Sequence, residues 1–562
     1  MKGQSNNRRL TLGAAARGVC LSAAVLVLAA CGGGSSSSGS SANYTVGGSI
    51  SGLNASSVVL IYNSTNTVTV SQGATTWVFA TSFPAGSSYS VSVLTNPTGE
   101  LCEVNNGGSG TLTANVTNIT VVCSLYGQWT WDGGLSSVNA SGVYGTQGAA
   151  SASNLPGARN NSSSWTDSSG NFWLFGGAGY DSTGASGDLN DLWQYSPSTG
   201  QWIWVSGGNG DNASGVYGTL GAASAGSVPG GRYSASSWID SSGNLWLFGG
   251  YGYDSTGAVG RLNDLWQYTP STRQWTWVSG GNGDNASGLY GTLSAASASN
   301  VPGARYAASS WIDASGNLWL FGGFGYDSSG AVGSLNDLWR YSPSSGQWTW
   351  VSGGNGDNAS GVYGTQGSAS ASNVPGARQA ANSWIDSSGN LWLFGGYGYD
   401  STGGAGYLND LWQYSPSTGL WTWVSGGSAD NASGVYGSQG TPSASNIPGG
   451  RYSGSSWIDL SGNMWLFGGY GYDSSNGVGA LNDLWLYTPS TQQWTEVTGG
   501  SGDNTAGSYG TQGTVSVSAS PGSRQAANSW IDTSGHLWLF GGTGYGAAGN
   551  GYLNDLWQFV PP

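Results

Sequence analysis

The sequence predicts an all-β protein in which a small domain precedes a long array of repeats. Of its 562 residues, 101 are Gly and 30 are Trp, while charged residues make up only 7%. A disordered chain lacks so many aromatic side chains, and Gly without a three-residue period excludes a collagen helix. The triplet Phe-Gly-Gly recurs six times in steps of 73 residues, which indicates one structural unit repeated along the chain.

The N-terminus, residues 1–30, has the pattern of an export signal. A positive region containing Lys2 and Arg17 precedes an apolar run over residues 19–30, which is too short to span a bilayer. The run ends in Leu-Ala-Ala-Cys at residues 28–31, and a Gly- and Ser-rich linker follows over residues 31–43. This pattern resembles the bacterial lipoprotein box, which implies that Cys31 is acylated, for example with palmitate. Gly32 after the Cys resembles the pattern of outer-membrane lipoproteins; the alternative is an ordinary secretory signal.

Residues 44–124 predict a small β domain. Its predicted strands, in which Thr, Val and Ser alternate, are residues 44–50, 58–62, 68–71, 77–80, 89–94 and 116–122. The domain resembles the immunoglobulin-like modules that follow lipoprotein anchors in bacteria, which implies a small sandwich acting as a spacer. Cys102 and Cys123 belong to an exported chain, so we predict a disulfide between them, with a metal pair as the alternative.

Residues 126–562 contain the repeated unit. One copy reads Pro-Gly-x-Arg, a strand ending in Ser-Trp-Ile-Asp, then Leu-Trp-Leu-Phe-Gly-Gly, Leu-Asn-Asp-Leu-Trp-x-Tyr and Trp-Thr-Trp. This order resembles the kelch repeat, which implies four-stranded blades and here a six-bladed β-propeller. The usual kelch unit has about 50 residues, and the additional residues lie between Trp-Thr-Trp and the next Pro-Gly-x-Arg.

The two ends of the repeat array are complementary. Residues 126–133 supply only the fourth strand of a unit, and residues 525–559 supply only three strands. We therefore predict that the N-terminal strand completes the last sheet and closes the ring, which removes exposed strand edges. We expect the protein to be a monomer.

The charged residues exclude several classes of function. Beyond residue 30 the chain has nine Arg, no Lys, one His (His536) and 27 carboxylates, which leaves a net charge of −18. Such a surface repels nucleic acid. Schiff-base lysines, Ser-His-Asp triads and His-rich zinc sites need residues that are missing. The kelch propeller of galactose oxidase needs two His and a Cys-crosslinked Tyr, so the resemblance does not extend to copper oxidation.

Strand order places the long connections on one face of the propeller. In a four-stranded antiparallel blade, the second connection and the link to the next blade share a face, and in the second copy they cover residues 251–262 and 279–304. We call this face the loop face. The opposite face, which carries the tight first and third connections, is the turn face. Binding residues usually lie on irregular segments of a rigid scaffold, so the loop face is the predicted binding face.

The first candidate ligand-binding set is a ring of arginines at the start of the inner strands. They are Arg159, Arg232, Arg305, Arg378, Arg451 and Arg524. Six guanidinium groups near the central channel predict a site for a carboxylate or sulfate. The alternative is a structural pair between each Arg and an Asp that begins the third strand on the same face. Those aspartates are Asp191, Asp264, Asp337, Asp410, Asp483 and Asp555.

Two sets of tyrosines form the other candidates. The shorter loops carry Tyr180, Tyr253, Tyr326, Tyr399, Tyr472 and Tyr545, and the longer loops carry Tyr144, Tyr217, Tyr290, Tyr363, Tyr436 and Tyr509. A Tyr has an apolar body and a polar tip, so these rings can stack on sugars or anchor a protein partner. The alternative is that the rings pin Gly- and Ser-rich loops to the blades.

Aspartates beside these tyrosines suggest calcium as a candidate cofactor. They are Asp181, Asp254, Asp327, Asp400 and Asp473 in the shorter loops and Asp211, Asp284, Asp357, Asp430 and Asp503 in the longer loops. Oxygen-rich loops can bind Ca²⁺. No single loop has the dense acidic spacing of a calcium loop, so we expect turn residues here and no cofactor.

Together these patterns predict a membrane-anchored extracytoplasmic module that binds a polysaccharide or a protein through the loop face. The alternative is a carbohydrate-active enzyme on the same face, mutarotase-, epimerase- or lyase-like, because other bacterial kelch propellers resemble such enzymes. No catalytic residue can be assigned, because the copies are nearly uniform. Their visible departures are Val138, Gly546, Glu496 and His536, most of them near the closing ends of the ring.

Overall fold

The computed structural model describes residues 42–53, 57–97, 100–125 and 127–561, and these residues form an all-β structure without helices. Within this described part, no helix is long and apolar enough to cross a membrane. The predicted export signal and the lipid-acceptor Cys31 lie outside the described residues.

The first domain consists of two four-stranded sheets and a short two-stranded one, which share one apolar core. Val58 and Leu60 from one sheet and Ile119 from the other are fully buried in this core. The strands of the domain are Asn43–Tyr44, Val46–Ser51, Ser57–Tyr62, Asn66–Ser71, Thr76–Val78, Phe83–Pro84, Ser88–Thr95, Glu100–Asn106, Ser109–Thr111 and Val116–Leu125.

A disulfide joins Cys102 to Cys123 across two neighbouring antiparallel strands, which confirms the predicted pairing. Cys102 lies on the strand Glu100–Asn106, which is absent from the predicted set. Its two Glu and two Asn are poor strand formers, and they conceal the strand in the sequence.

Each repeat folds into an antiparallel sheet in which the chain passes from an innermost strand to an outermost strand. The innermost strands are split, as Arg159–Asn160 with Ser163–Thr166, Arg232–Tyr233 with Ser236–Ile239, Arg305–Tyr306 with Ser309–Ile312, Arg378–Gln379 with Asn382–Ile385, Arg451–Tyr452 with Ser455–Ile458, and Arg524–Gln525 with Asn528–Ile531. The second strands are Phe172–Tyr180, Leu245–Tyr253, Leu318–Phe321 with Phe324–Tyr326, Leu391–Tyr399, Met464–Tyr472 and Leu537–Tyr545. The third strands are Ser186–Ser196, Val259–Thr269, Val332–Ser334 with Leu338–Ser342, Ala405–Ser415, Val478–Thr488 and Asn550–Phe559. The fourth strands are Gln201–Ser206, Gln274–Ser279, Gln347–Ser352, Leu420–Ser425 and Gln493–Thr498.

The last sheet takes its fourth strand from the start of the array. Trp129–Gly133 pairs antiparallel with Asn550–Phe559, and Trp129 lies opposite Phe559. The innermost strands also contact their neighbours all the way round, including the first against the last. These pairings confirm the predicted completion of the last sheet, and the arrangement is consistent with a β-propeller.

The Phe-Gly-Gly triplet forms a bulge where each sheet touches the next one. Gly176 and Gly177 both have positive φ, at 61° and 96°, and the register between the second and third strands shifts there. A Cβ on Gly176 would lie 2.8 Å from the carbonyl oxygen of Arg232 in the next repeat. Glycine is required because any side chain would push neighbouring sheets apart.

A closed ring of backbone hydrogen bonds surrounds the central channel. In each repeat a residue between the two halves of the innermost strand donates its N–H to the equivalent carbonyl of the preceding repeat, at 2.7–3.0 Å. These residues are Asn161, Ser234, Ala307, Ala380, Ser453 and Ala526, and all have φ between 51° and 55°. The ring fixes how far each sheet lies from the axis.

The linkers between repeats cover the outer edges of the sheets. Ala150–Ser151 pairs antiparallel with the fourth strand Gln201–Ser206, and the next two repeats carry the same pairing. Gly148 donates its N–H to the carbonyl of Trp204 at 2.7 Å. The additional residues of the long repeat therefore satisfy backbone groups that an open sheet edge would expose.

Candidate functional site

The six candidate arginines are buried in ion pairs. Each guanidinium lies 2.6–2.7 Å from the paired Asp of its own repeat, and both side chains are at most 1% exposed. The aspartates do not begin the third strands, as the sequence predicts, because those strands start five residues earlier, for example at Val259 before Asp264. In the third repeat, Arg305 also donates to the carbonyls of Gly303 and Gly322. A carboxylate or sulfate would have to displace Asp337 to reach it, so the geometry favours the structural alternative for all six arginines.

The tyrosines of the longer loops belong to the same buried network. Tyr290 donates its hydroxyl to Asp337 at 2.6 Å, and Trp339 donates its indole N–H to the same carboxylate oxygen. Burial and this carboxylate raise the pKa of Tyr290 well above its usual range. Burial lowers the pKa of Arg305, but the carboxylate outweighs burial and leaves it raised. The equivalent tyrosines Tyr144, Tyr217, Tyr363, Tyr436 and Tyr509 make the same bond.

The tyrosines of the shorter loops, in contrast, are half-buried at the ends of the second strands. They are Tyr180, Tyr253, Tyr326, Tyr399, Tyr472 and Tyr545. The connection expected over residues 251–262 is shorter than predicted, because its strands continue to Tyr253 and resume at Val259. Asp254 closes the remaining turn by accepting the N–H groups of Thr256 and Ala258. Backbone ladder bonds thus extend well into the expected loop.

The aspartates of the loops act as hydrogen-bond acceptors. Asp284 of the longer loop accepts the side-chain amide of Asn285 at 2.7 Å, and Asp357 accepts that of Asn358. Across the residues described, no group of three Asp, Glu, His or Cys side chains lies close enough together to hold a metal ion.

Three positions of the repeat vary strongly although the residues beside them are constant. We call them the variable row. In the order of the repeats they are Asn160, Ala178 and Asp188; Tyr233, Tyr251 and Arg261; Tyr306, Phe324 and Ser334; Gln379, Tyr397 and Tyr407; Tyr452, Tyr470 and Ala480; and Gln525, Thr543 and Tyr552. The constant residues next to them are the buried Arg, three Gly and a Leu, and the constant Tyr of the shorter loop lies two residues away.

The variable row is one continuous line in each sheet. Tyr233 of the innermost strand lies opposite Tyr251 of the second strand, which lies opposite Arg261 of the third. The same register holds in the other repeats. Most of these side chains are half-buried, on the side of the backbone ring that carries the loop face. The innermost residue of each row therefore lies beside the central channel on the loop-face side, and the other two lie further out on the second and third strands. We call this region, on the loop-face side of the channel, the mouth.

In the second and third repeats the row forms a first aromatic cluster. The rings of Tyr233 and Tyr251 lie 5.5 Å apart, and Tyr251 lies 6.0 Å from Tyr306 of the next repeat. Arg261 reaches across the same junction and places its guanidinium 5.0 Å from the centre of Phe324. Arg261 also lies 5.7 Å from the ring of Tyr326, one of the candidates of the shorter loops.

A second aromatic cluster occupies the fourth and fifth repeats. Tyr407 stacks on Tyr452 at 5.8 Å with an interplanar angle of 12°, and it contacts Tyr470 and Tyr472 as well. Tyr397 lies 5.5 Å from Tyr407 at its edge. Tyr407 therefore occupies, between the fourth and fifth repeats, the position that Arg261 occupies between the second and third repeats.

The first and sixth repeats contribute mainly polar side chains to the variable row. The amide of Asn160 donates to the hydroxyl of Thr543 at 2.6 Å, across the closing junction of the ring. Tyr552 contacts Tyr180 in the same junction. Burial and the nearby carboxylate of Asp211 raise the pKa of Asp188 to about 6.

Two of the departures noted in the sequence lie away from this mouth. His536 replaces an Asn at a tight turn, bonds Asp532 at 2.9 Å and lies 3.5 Å from Glu103 of the first domain. Glu496 replaces a Trp of the fourth strands, and burial together with Asp483 raises its pKa to about 7.

The variable row does not stand out in a search for repeated motifs, because such a search selects the constant positions. A position-by-position comparison of the six copies would have found it. No protein-family model and no curated protein sequence matches this chain.

We predict that Asp337→Asn destabilises the repeat domain strongly, because it leaves the buried Arg305 without a counter-charge. The apparent free energy of unfolding in urea should fall by about 3–5 kcal/mol. Asp357→Asn, in a half-exposed loop of the same repeat, is the control and should change it by about 0.5 kcal/mol or less. Equal stability of the two variants would contradict a structural role for the ion pair.

Proposed function

We propose that this protein is a lipid-anchored extracytoplasmic module that binds polysaccharide through the mouth of a six-bladed, kelch-type propeller. In this proposal the first domain is an immunoglobulin-like spacer that holds the propeller away from the membrane. The ligand lies on the loop face, along the variable row. The proposal assigns binding to side chains other than the buried arginines.

The observation that carries the proposal is that the positions that differ between repeats lie together on the loop-face side of the channel and are rich in aromatic side chains. The row lies at one channel mouth, and five successive repeats, the second to the sixth, place aromatic rings in it. Half-buried rings with polar tips match the apolar faces and hydroxyl edges of sugars. Positions that only stabilised the fold would be expected to repeat like the Arg and Gly beside them.

Polysaccharide is favoured over a compact ligand because the aromatic rings extend over several repeats. The first and second clusters together span four neighbouring sheets. A chain of sugars can occupy several such contacts at once, and each contact raises the effective concentration for the next. Binding should therefore depend on the sum of many moderate contacts.

To test this, the first cluster can be replaced by residues that the chain itself carries at the same positions. The variant combines Tyr233→Gln, Tyr251→Thr, Tyr306→Gln and Phe324→Thr, which match Gln525 and Thr543 of the last repeat. Each stacked ring contributes about 1 kcal/mol or more, so binding should weaken at least about a hundredfold. Co-sedimentation with a series of insoluble polysaccharides measures the change.

The control is Leu460→Ser, which changes a 77% exposed side chain at a tight turn of the turn face. It should leave retention on the same polysaccharides unchanged. An aromatic-cluster variant that sediments as well as this control would contradict the proposed binding face.

A second candidate function is a carbohydrate-active enzyme at the same mouth. The observation in its favour is Asp188, whose raised pKa suits a general acid near neutral pH. The distinguishing experiment is Asp188→Asn: loss of product release with retained binding would favour the enzyme. Retained binding without product release by the unaltered protein favours the binding module.

The proposed lipid anchor at Cys31 can be tested separately from ligand binding. Cys31→Ala should release the protein from the membrane fraction, because several acyl chains hold a protein stably at about 0.8 kcal/mol for each buried CH₂ group. Fractionation and metabolic labelling with a fatty acid measure the effect. An unaltered protein that pellets with membranes but takes up no acyl label would contradict lipidation.

A further inference from the structure

The two aromatic clusters are separated by one junction, between the third and fourth repeats. There the variable row contains Ser334 on one side and Gln379 on the other. The ring of Tyr397 borders this gap and is 37% exposed, whereas the rings of the first cluster are half-buried.

By equivalence with the other repeats, Ser334 is the residue of the third repeat that faces Tyr397 of the fourth, and its small size explains the exposure of Tyr397. In the junctions before and after this one, the equivalent positions hold Arg261 and Tyr407, which lie against the aromatic rings of the next repeat. Ser334 is too short to do the same and is itself 4% exposed. One face of the Tyr397 ring is therefore left uncovered, and a ligand can reach it between the first and second aromatic clusters.

The polar groups of the gap match a neutral sugar. Gln379 supplies a side-chain amide, which can both donate to and accept from hydroxyl groups. The carboxylate of Asp357 lies against Gly333, next to Ser334, and can accept a further hydroxyl. A ligand that carried a carboxylate of its own would be repelled by the carboxylate of Asp357 at this short range.

We propose that the gap formed by Ser334, Gln379 and Tyr397 is the subsite that fixes one ring of a neutral polysaccharide, with the ring stacked on Tyr397. This inference rests on the proposed function and names its substrate class. The clusters on either side then hold the neighbouring sugars of the same chain. Arg261 and Tyr407 act as the walls that delimit the subsite.

The sharpest test fills the gap with a side chain that the fold already accepts elsewhere. Ser334→Tyr introduces the residue found at the equivalent position 407, where it covers the rings of the next repeat. Binding is measured by fluorescence polarisation with labelled hexasaccharides of glucose, mannose, xylose and N-acetylglucosamine, beside a hexasaccharide of galacturonate. We expect the variant to bind the preferred neutral hexasaccharide at least tenfold more weakly.

Tyr397→Thr tests the stacking contact without adding bulk. Thr543 occupies the same position in the last repeat, so the substitution suits the strand. It should also weaken binding at least tenfold, with the melting temperature within a few degrees of the unaltered protein. The matched control is Leu460→Tyr, which adds a tyrosine at an exposed turn on the opposite face and should change binding less than twofold.

The outcomes separate the subsite from the proposed function. Binding of a neutral hexasaccharide that both variants leave unchanged would overturn the subsite but not the binding module. Preference for the galacturonate hexasaccharide would overturn the neutral substrate class. Failure of the unaltered protein to bind any of the five hexasaccharides would overturn both proposals.

Discussion

One buried carboxylate in each repeat joins three segments of the chain, and the rest of the repeat domain depends on this junction. In the third repeat, Asp337 accepts two hydrogen bonds from Arg305, one from Tyr290 and one from Trp339. These groups come from the third strand, the innermost strand and the linker. Removing any one partner leaves a buried charge or donor unpaired, at a cost of several kcal/mol for a charge. The four residue types can therefore hardly change, and all six copies retain them.

The same constraint explains where the copies are free to differ. Tyr306 follows Arg305 directly, and its strand partner Phe324 follows the double glycine, so their backbones are fixed by the network and the bulge. Their side chains contact Arg261 of the preceding repeat and each other, and they have no part in the ion pair. The ion-pair network and the glycine bulge hold the backbone in place, while the side chains of the variable row can differ between repeats. Such an arrangement can place different contacts along an extended ligand.

Much of the fold follows from the sequence, because it depends on period and on local chemistry. The 73-residue period gives the repeated sheets, and the incomplete units at the two ends give the pairing of Trp129 with Phe559. The expectation of an exported chain led to the prediction that Cys102 pairs with Cys123, and the disulfide confirms that pairing. The extent of the strands around Asp254 does not follow from the sequence. Gly- and Ser-rich residues have low strand propensity, so the sequence predicts a loop in this stretch, although hydrogen bonds between the two strands extend into it.

The site was less predictable than the fold. Spacing alone places Arg305 and Asp337 on one face but does not say whether their side chains meet in the interior or open to solvent. The tyrosines of the two loops look alike in the sequence, yet Tyr290 is buried and Tyr326 is half-buried. Tyr397 draws attention only when the copies are compared with one another and the neighbouring Ser334 is placed beside it in space.

The most direct test of the central claim is hydroxyl-radical footprinting of the tyrosines in the presence and absence of bound polysaccharide. If the variable row is the binding surface, the ligand should protect Tyr251, Tyr397 and Tyr470 from oxidation. Tyr290, which is buried in the network, should react little in either state. Protection confined to the first domain or to the turn face, with Tyr397 equally reactive in both states, would contradict the account.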